Sequence, residues 1–378
     1  MCGIARIVKK NGTEVLKEEI KALTDIVIHR GPDDEGFYIS GNIALGHRRL
    51  SILDLSSAGR QPMIYKDLVI TFNGEIYNYK SLTEELAAKG HILHSLCDAE
   101  VIVHLYEEYG VQLFDLIDGQ FAFALYDSRR GGVLLGRDRT GICPLYYAEI
   151  DGIAYFASEI KAIAAAEGVK LRPSMTGLYE QFAYWSPVQG RTVFERVYQL
   201  PPSSYAWVYG GKAAEANLYH RLSDYENYRE HRDVEGLRQD IRKTLTQSAL
   251  DRLMGDSDVK WGFYLSGGLD STILLKLLKE QGYNDFPTFS IAFRDYRIDE
   301  SAYQALGLKE HHGEHTKVLV GDEDIIEALP KVLKHCEVPL FKLGAVPMYL
   351  LSKAAREKGV KFVLSGEGAD EMFYGYDI

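Results

Sequence analysis

Cys2, directly after Met1, is the first residue whose place in the chain suggests chemistry. With Met1 removed, one residue would carry both a thiol and a free α-amine. An amine with a reference pKa of about 7.7–8 can take the proton from its own thiol, so such a nucleophile needs no partner histidine. A second candidate is the hexapeptide Ser266-Gly267-Gly268-Leu269-Asp270-Ser271. Small residues let a backbone approach a ligand closely, and a following helix offers unpaired N–H groups, which together suit a pyrophosphate. The stretch lacks the Gly-Lys-Ser/Thr ending of a Walker loop and the spacing of a dinucleotide fingerprint. The third is Ser365-Gly366-Glu367-Gly368-Ala369-Asp370-Glu371, a glycine loop carrying carboxylates. Each has a plainer reading on its own: a cysteine without a catalytic role, a turn packing strand on helix, a solvated turn.

Two kinds of scaffold are expected to hold these residues. The first part of the chain reads as short strands over 2–8, 43–46, 68–73, 121–126, 133–136 and 155–157, rich in β-branched and aromatic residues between turn formers. Helices over 81–89 and 99–109 lie among them, with apolar residues at helical spacing. Such a mixture suggests a sheet-rich α+β layer structure. A polar stretch over 209–233 then reads as a linker, dividing a domain at 1–208 from one at 234–378. Beyond it Val234, Leu237, Ile241 and Leu245 share one helix face. Strands at 261–265, 286–293, 316–320 and 360–364 alternate with helices at 271–281, 324–336 and 346–357. That alternation indicates an α/β parallel sheet wound with helices.

A length of 378 residues fits two domains. The net charge of −11, without a basic stripe, argues against a nucleic-acid partner. No apolar stretch approaches the ~18 residues of a membrane helix, and no signal sequence opens the chain, so no membrane partner and a cytoplasmic location are expected. Cys97, Cys143 and Cys336 fit no zinc-ligand spacing and read as small buried hydrophobes.

Further segments change the weight of Cys2. They are His29-Arg30-Gly31-Pro32-Asp33, Gly46-His47-Arg48-Arg49-Leu50-Ser51-Ile52, Asn73-Gly74-Glu75-Ile76-Tyr77-Asn78 and Cys97-Asp98-Ala99-Glu100. In this order, followed by Gly136-Arg137-Asp138-Arg139-Thr140-Gly141 and Phe156-Ala157-Ser158-Glu159, they resemble the glutaminase domain of class II amidotransferases. The resemblance covers most of the expected first domain and implies an N-terminal-nucleophile sandwich, αββα-like. It implies that Cys2 attacks glutamine, that Arg49 pairs with the α-carboxylate and that Asp98 takes the ammonium group. Leu50, Ser51, Ile52, Leu53 and Glu75 would complete the glutamine contacts. Asn73 and the Gly74 N–H would form the oxyanion hole, where one donor is typically worth about 3–4 kcal/mol. Without the resemblance, Arg49 would read as a surface ion pair and Asn73-Gly74 as a type I′ hairpin turn.

The two glycine loops, with Pro347-Met348-Tyr349-Leu350-Leu351-Ser352 before the second, resemble the ATP-pyrophosphatase domain of asparagine synthetases. The resemblance implies that Leu265, Ser266, Gly267, Gly268, Asp270, Ser271, Ile291, Ser365 and Gly366 contact ATP. Asp270 and Asp370 would hold Mg²⁺ on the phosphates, and Glu367 would support the acyl-adenylate. Asp299-Glu300-Ser301 and His335-Cys336-Glu337-Val338-Pro339 are similar to the family's pattern in less specific ways.

The joint implication is glutamine-dependent asparagine synthesis. Ammonia made at Cys2 would cross an apolar passage to β-aspartyl-AMP, and AMP and pyrophosphate would leave. Glutamine, aspartate and ATP are then the partners, with a homodimer as an open expectation. Three alternatives stay open: amidation of another carboxylate such as a sugar acid, ring closure within one substrate, and ligand binding without catalysis. Ring closure needs no external ammonia, against which the set Cys2, Arg49, Asn73 and Asp98 argues. The sequence departs from the family at Tyr374 and at Ser203, where glycine is usual. It also stops at Ile378, before a helical segment with a catalytic lysine in the family. It therefore reads as C-terminally shortened, with glutaminase expected intact and synthesis weak without a second polypeptide.

Overall fold

Along the strand Gly3–Val8, Ile4 and Val8 pack to one side while Ala5 and Ile7 pack to the other. That is the two-residue period of a strand, and with both faces buried the strand must lie between layers. The computed structural model, which describes residues 1–10, 12–221, 233–295 and 299–376, places it there. The chain divides into two compact units, 1–228 and 229–378.

The first unit holds two antiparallel sheets. One runs Val197–Gln199, Tyr146–Ile150, Ile153–Ala157, Gly3–Val8, Ile43–Arg49, Asp34–Ser40. The other runs Lys212–Ala213, Ser204–Tyr209, Gly132–Arg137, Gly119–Asp127, Leu68–Ile76, Met63–Tyr65, with Asn217–Leu218 paired to Ser204–Tyr209. Ile4, Val8 and Leu45 of the first sheet share a core with Val69, Ala124 and Leu135 of the second. The outer face of the first sheet carries the helices Lys17–Asp25 and Ile160–Ala164 through Ile20, Leu23 and Ile163. The outer face of the second carries Tyr79–Ala88 and Asp98–Tyr109 through Leu82, Leu86 and Val103. The layers are helix, sheet, sheet, helix, the sandwich expected from the sequence.

In the second unit a parallel sheet runs His315–Val320, Thr288–Phe293, Trp261–Tyr264, Phe362–Leu364. Asp233 starts its first helix, Val234–Asp251, by accepting the Gly236 N–H at 2.6 Å. Phe263 and Leu265 pack with Ala249 and Leu275 on one face, and Tyr264 packs with Leu351 and Ala355 on the other. Helices thus cover both faces, as alternation along a buried strand requires. Chain order reverses at Trp261–Tyr264, and ligands of such sheets bind at the carboxyl ends of the strands flanking the reversal. No helix of the described residues is long and apolar enough to cross a membrane.

One plain alternative fails, and one reading is corrected. Asn73-Gly74 is no hairpin turn. It lies inside Leu68–Ile76, opposite Ala122 and Phe121, because pairing along the whole strand outweighs the local turn preference. The polar stretch from 209 is in part sheet: Lys212–Ala213 and Asn217–Leu218 still pair, and the Tyr219 hydroxyl donates to the Arg137 carbonyl at 2.8 Å. Residues 222–232 of the expected linker lie outside the described residues.

Candidate active sites

In the first unit Gly3 pairs with Arg48, which sets Cys2 beside the end of Ile43–Arg49 and the loop that follows. The Leu50 N–H donates to Cys2 Sγ at 3.4 Å. Arg30 Nε donates to the Cys2 carbonyl at 2.8 Å, and its Nη1 donates to Glu159 at 3.1 Å. The Ile4 N–H donates to Ser158 Oγ at 3.0 Å. The start of the chain is therefore pinned from both sides. Burial pushes the Cys2 thiol above its ordinary value, with the adjacent amine pulling the other way. Burial alone would raise Glu159 too, yet His29, Lys161 and Arg30 hold it down to about 2. Arg30, Ser158 and Glu159 had no assigned role in the sequence, although the segments carrying them stood out there.

Arg49 is 6% exposed, so the surface ion-pair reading fails. Its Nη1 donates to the Ser56 carbonyl at 3.1 Å, and its Nη2 donates to the carbonyls of Leu53, at 3.2 Å, and Asp54. The guanidinium thus shapes the very loop, Leu50 to Leu53, expected to touch glutamine, and has Nε and one Nη1 hydrogen left for a ligand. Ser51 is fixed by its N–H to Asp33 at 2.9 Å, and Ile52 lies half-buried between. Asp54 accepts the Leu96 N–H at 2.9 Å, tying this loop to the entry of Asp98–Tyr109.

Asn73 is fully buried, and neither atom of its amide has a partner. A buried amide without partners costs free energy unless a ligand completes it. A Cβ on Gly74 would stand 2.1 Å from the Gln120 carbonyl oxygen, and the backbone has φ +153°, so only glycine brings that N–H here. Asp98 accepts the Ile76 N–H at 2.8 Å, and burial pushes its carboxyl up to about 6. Glu75 is raised well above the usual range, first by burial and then by the Asp98 charge. Glu75 in turn raises the Cys2 thiol, so thiol, Glu75 and Asp98 share one electrostatic neighbourhood.

In the second unit a cavity of about 300 Å³ opens at the carboxyl ends of Trp261–Tyr264 and Phe362–Leu364. Leu265, Ser266, Gly268, Asp270, Ser271, Ile291, Ser365, Gly366, Glu367 and Asp370 line it, together with Glu300. Of the expected residues only Gly267 stands off the wall; it turns the loop with φ +95°. Ser266 Oγ lies 2.9 Å from Ser271 Oγ and accepts the Gly268 N–H at 3.1 Å. The two glycine loops touch: a Cβ on Gly366 would stand 2.9 Å from the Ser271 nitrogen. Gln304, which sequence reasoning missed, donates from Nε2 to the carbonyls of Ser266 at 3.1 Å and Ile291 at 2.8 Å. No local pattern marks it, since its partners come from two other loops. Carboxylates and hydroxyls on one wall are the hard oxygen donors that suit Mg²⁺, so Asp270 and Asp370 fit such an ion.

A glutamine amidotransferase domain family model matches residues 1–220, and an asparagine synthase model matches 240–378. The chain is 32% identical to asparagine synthetase [glutamine-hydrolyzing] 1 of Bacillus subtilis, covering 100% of this chain and 59% of that one. It is 34% identical to asparagine synthetase B [glutamine-hydrolyzing] of Escherichia coli, covering 100% and 65%. A putative asparagine synthetase [glutamine-hydrolyzing] 2 of Methanocaldococcus jannaschii is 32% identical, with 100% and 76% covered. The chain thus spans less than two thirds of the first two relatives. It belongs to the family of glutamine-hydrolysing asparagine synthetases.

Proposed function

We propose that this chain works in glutamine-dependent asparagine synthesis, with Cys2 as the nucleophile and ATP as the activating substrate. One observation carries the reading: a single chain holds a half-buried thiol in a unit with a buried, unpartnered amide and, separately, a cavity where two carboxylate loops meet. Sγ of Cys2 would attack the carboxamide carbon of glutamine. Charge moving onto the carboxamide oxygen would be met by Asn73 Nδ2 and the Gly74 N–H, while Arg49 and Asp98 hold the amino-acid end. With Met1 in place the Cys2 nitrogen is a peptide nitrogen and accepts no proton, so the mechanism requires its removal. The freed amine then takes the thiol proton and passes it to departing ammonia. Water hydrolyses the thioester and returns the thiol.

In the second unit an aspartate carboxylate oxygen would attack the α-phosphorus of ATP and expel pyrophosphate. The glycine loop and the first N–H groups of the helix Leu269–Glu280 would cradle the pyrophosphate. Mg²⁺ held by Asp270 and Asp370 would supply charge neutralisation on the phosphates. Glu367 lies on the same wall, in reach of the developing adenylate. Ammonia would then displace AMP from the acyl carbon. A cytoplasmic homodimer acting on free glutamine, aspartate and ATP is the setting this reading expects.

The test supplies glutamine, ATP and Mg²⁺ with a panel of acceptors, and measures glutamate, AMP, pyrophosphate and amide product. Amide product and AMP formed in equal amounts with aspartate support the reading, also where glutamate exceeds both. Turnover with a sugar acid and none with aspartate would replace it with amidation of that acid.

A further inference from the structure

A group of side chains outside both sites has the layout of a metal centre. His91 follows the helix Tyr79–Ala88, where its N–H donates to the Leu86 carbonyl at 3.0 Å. That turn lays its ring against Asp98–Tyr109, which contributes His104 and Glu107, one helical turn apart on one face. Nδ1 of His91 lies 2.9 Å from Nδ1 of His104 and 3.8 Å from Glu107 Oε2. One ligand atom from each of the three lies within 4.8 Å of the others. A tetrahedral site with bonds of about 2.0–2.2 Å spaces its donors by about 3.3 Å, so these positions need only small adjustments.

The outer nitrogens say what belongs between the inner ones. Nε2 of His91 lies 2.9 Å from Glu108 Oε1. Nε2 of His104, on a side chain with no exposure, lies 3.6 Å from Glu100 Oε1 and has no other partner. Glu100 already accepts the N–H groups of His94, at 2.8 Å, and Ser95, at 2.7 Å, so it faces His104 as an acceptor. Facing carboxylates, both Nε2 atoms carry the N–H. In neutral rings both Nδ1 atoms then present lone pairs to each other at 2.9 Å, which repel unless a cation sits between them. A carboxylate on the far nitrogen of a histidine is also how metal-bound imidazoles are oriented. A cavity of about 530 Å³, lined by His91, Glu107 and Glu108 together with Tyr65, Lys66 and Lys89, opens beside the group and gives an ion a way in.

We propose that His91, His104 and Glu107 bind a divalent transition-metal ion through two Nδ1 atoms and Oε2, leaving one position open to the cavity. Imidazole with a carboxylate suits zinc or cobalt and not magnesium. Lys66 Nζ, 2.6 Å from Glu107 Oε1, and the Tyr65 hydroxyl, which donates to Oε2 at 2.7 Å, hold the carboxylate in place, and Oε2 keeps a further lone pair for the ion. The ion would join the turn at His91 to the helix that begins at Asp98, and so stiffen the element carrying that residue.

The test uses the full chain, stripped by a chelator and titrated with Co²⁺, whose tetrahedral complexes have intense visible bands. One equivalent should develop those bands, and Zn²⁺ should displace it. His91→Ala should abolish the bands, and Glu108→Gln should weaken binding about 10–100-fold. If His91→Ala fails to fold, Glu107→Gln, on a partly exposed side chain, must show the same loss. Absence of the bands in the parent would overturn the proposal and leave a proton shared by two imidazoles. Bands unchanged in His91→Ala or Glu107→Gln would overturn it too, since the ion would then sit elsewhere.

Discussion

Around Cys2 the polar groups are closed in. Arg49 is 6% exposed, Asp98 4% and Asn73 0%, and the loop contacting the thiol is held by Arg49, which donates to its carbonyls, and by the Leu96 N–H, which donates to Asp54. Around Asp270 the opposite holds: Ser266, Glu367 and Gly368 are exposed, and Asp270 and Asp370 are half-buried on loops that touch near Gly366. The first arrangement suits a small amino acid whose two charged ends and one amide must be fixed before bonds move. The second suits a large polyanion, gripped by backbone N–H groups and neutralised by an ion. Substitutions in one unit should therefore leave the chemistry of the other untouched.

The largest expected effect comes from Cys2→Ala, which deletes the proposed nucleophile. Glutamate release should fall at least about 10⁴-fold, while pyrophosphate release with added ammonia stays near the parental rate. Glutaminase activity persisting in the variant would end the Cys2 assignment. Asn73→Ala comes next, with a loss of about 10²–10³ in kcat and little change in KM for glutamine, since its donors serve the transition state. A rise in KM alone would mean that the unpartnered amide binds ground-state substrate.

The converse variants lie in the second unit. Asp270→Asn or Asp370→Asn should lower Mg²⁺-dependent pyrophosphate release by about a hundredfold and leave glutamate release within twofold. Full pyrophosphate release in both variants would show that the two loops share no metal.

How much of this was legible in the sequence differs between the units for physical reasons. The parallel sheet follows from alternation alone, since helices such as Val234–Asp251 and Asp322–Cys336 are long and locally periodic and short apolar strands fall between them. In the first unit the residues suggest only a sheet-rich layer structure; the sandwich is what the resemblance implies, and the two-sided burial of strands such as Gly3–Val8 is seen only in the structure. Asn73-Gly74 misleads because its local signal is a turn, and only the partner strand at Ala122 and Phe121 keeps it extended. Arg49 reads as a clamp for a ligand, yet three of its N–H groups hold a loop whose path no spacing rule gives. Gln304 is silent for the same reason. What sequence conveys poorly is what the backbone of a distant loop asks of a side chain.

A smaller effect tests the closed character of the first site by pH. In the folded chain burial lifts the Asp98 carboxyl from an ordinary 3.8 to about 6. Its protonated form therefore favours the fold. That contribution is full below the ordinary value and is lost as pH rises through about 6. Glutamine reverses the preference, because its ammonium group needs the carboxylate ionised. KM for glutamine should thus rise by about tenfold from pH 7 to pH 5, one proton per site, with the Asp98→Asn variant flat across that range. KM independent of pH in the parent would place the ammonium elsewhere.

The smallest effect compares two backbones. Ser203 and Tyr374 both adopt left-handed conformations, φ 56° and 57°. A side chain there costs about 1–2 kcal/mol relative to the ordinary helical region. In the first unit the cost is offset: Ser203 Oγ donates to the Arg139 carbonyl at 2.8 Å, and its N–H donates to Asp138 at 2.8 Å. In the second the Tyr374 side chain is 92% exposed and gains little by being there. Ser203→Gly exchanges relief of strain for a lost hydrogen bond worth about 1 kcal/mol, so unfolding of the first unit in urea should shift little. Tyr374→Gly loses no such bond and should stabilise the second unit by about 1 kcal/mol, read as slower hydrogen exchange in Trp261–Tyr264 and its neighbours. Equal gains from the two substitutions would mean that the hydroxyl of Ser203 contributes nothing, and that the first unit is no more tightly compensated than the second.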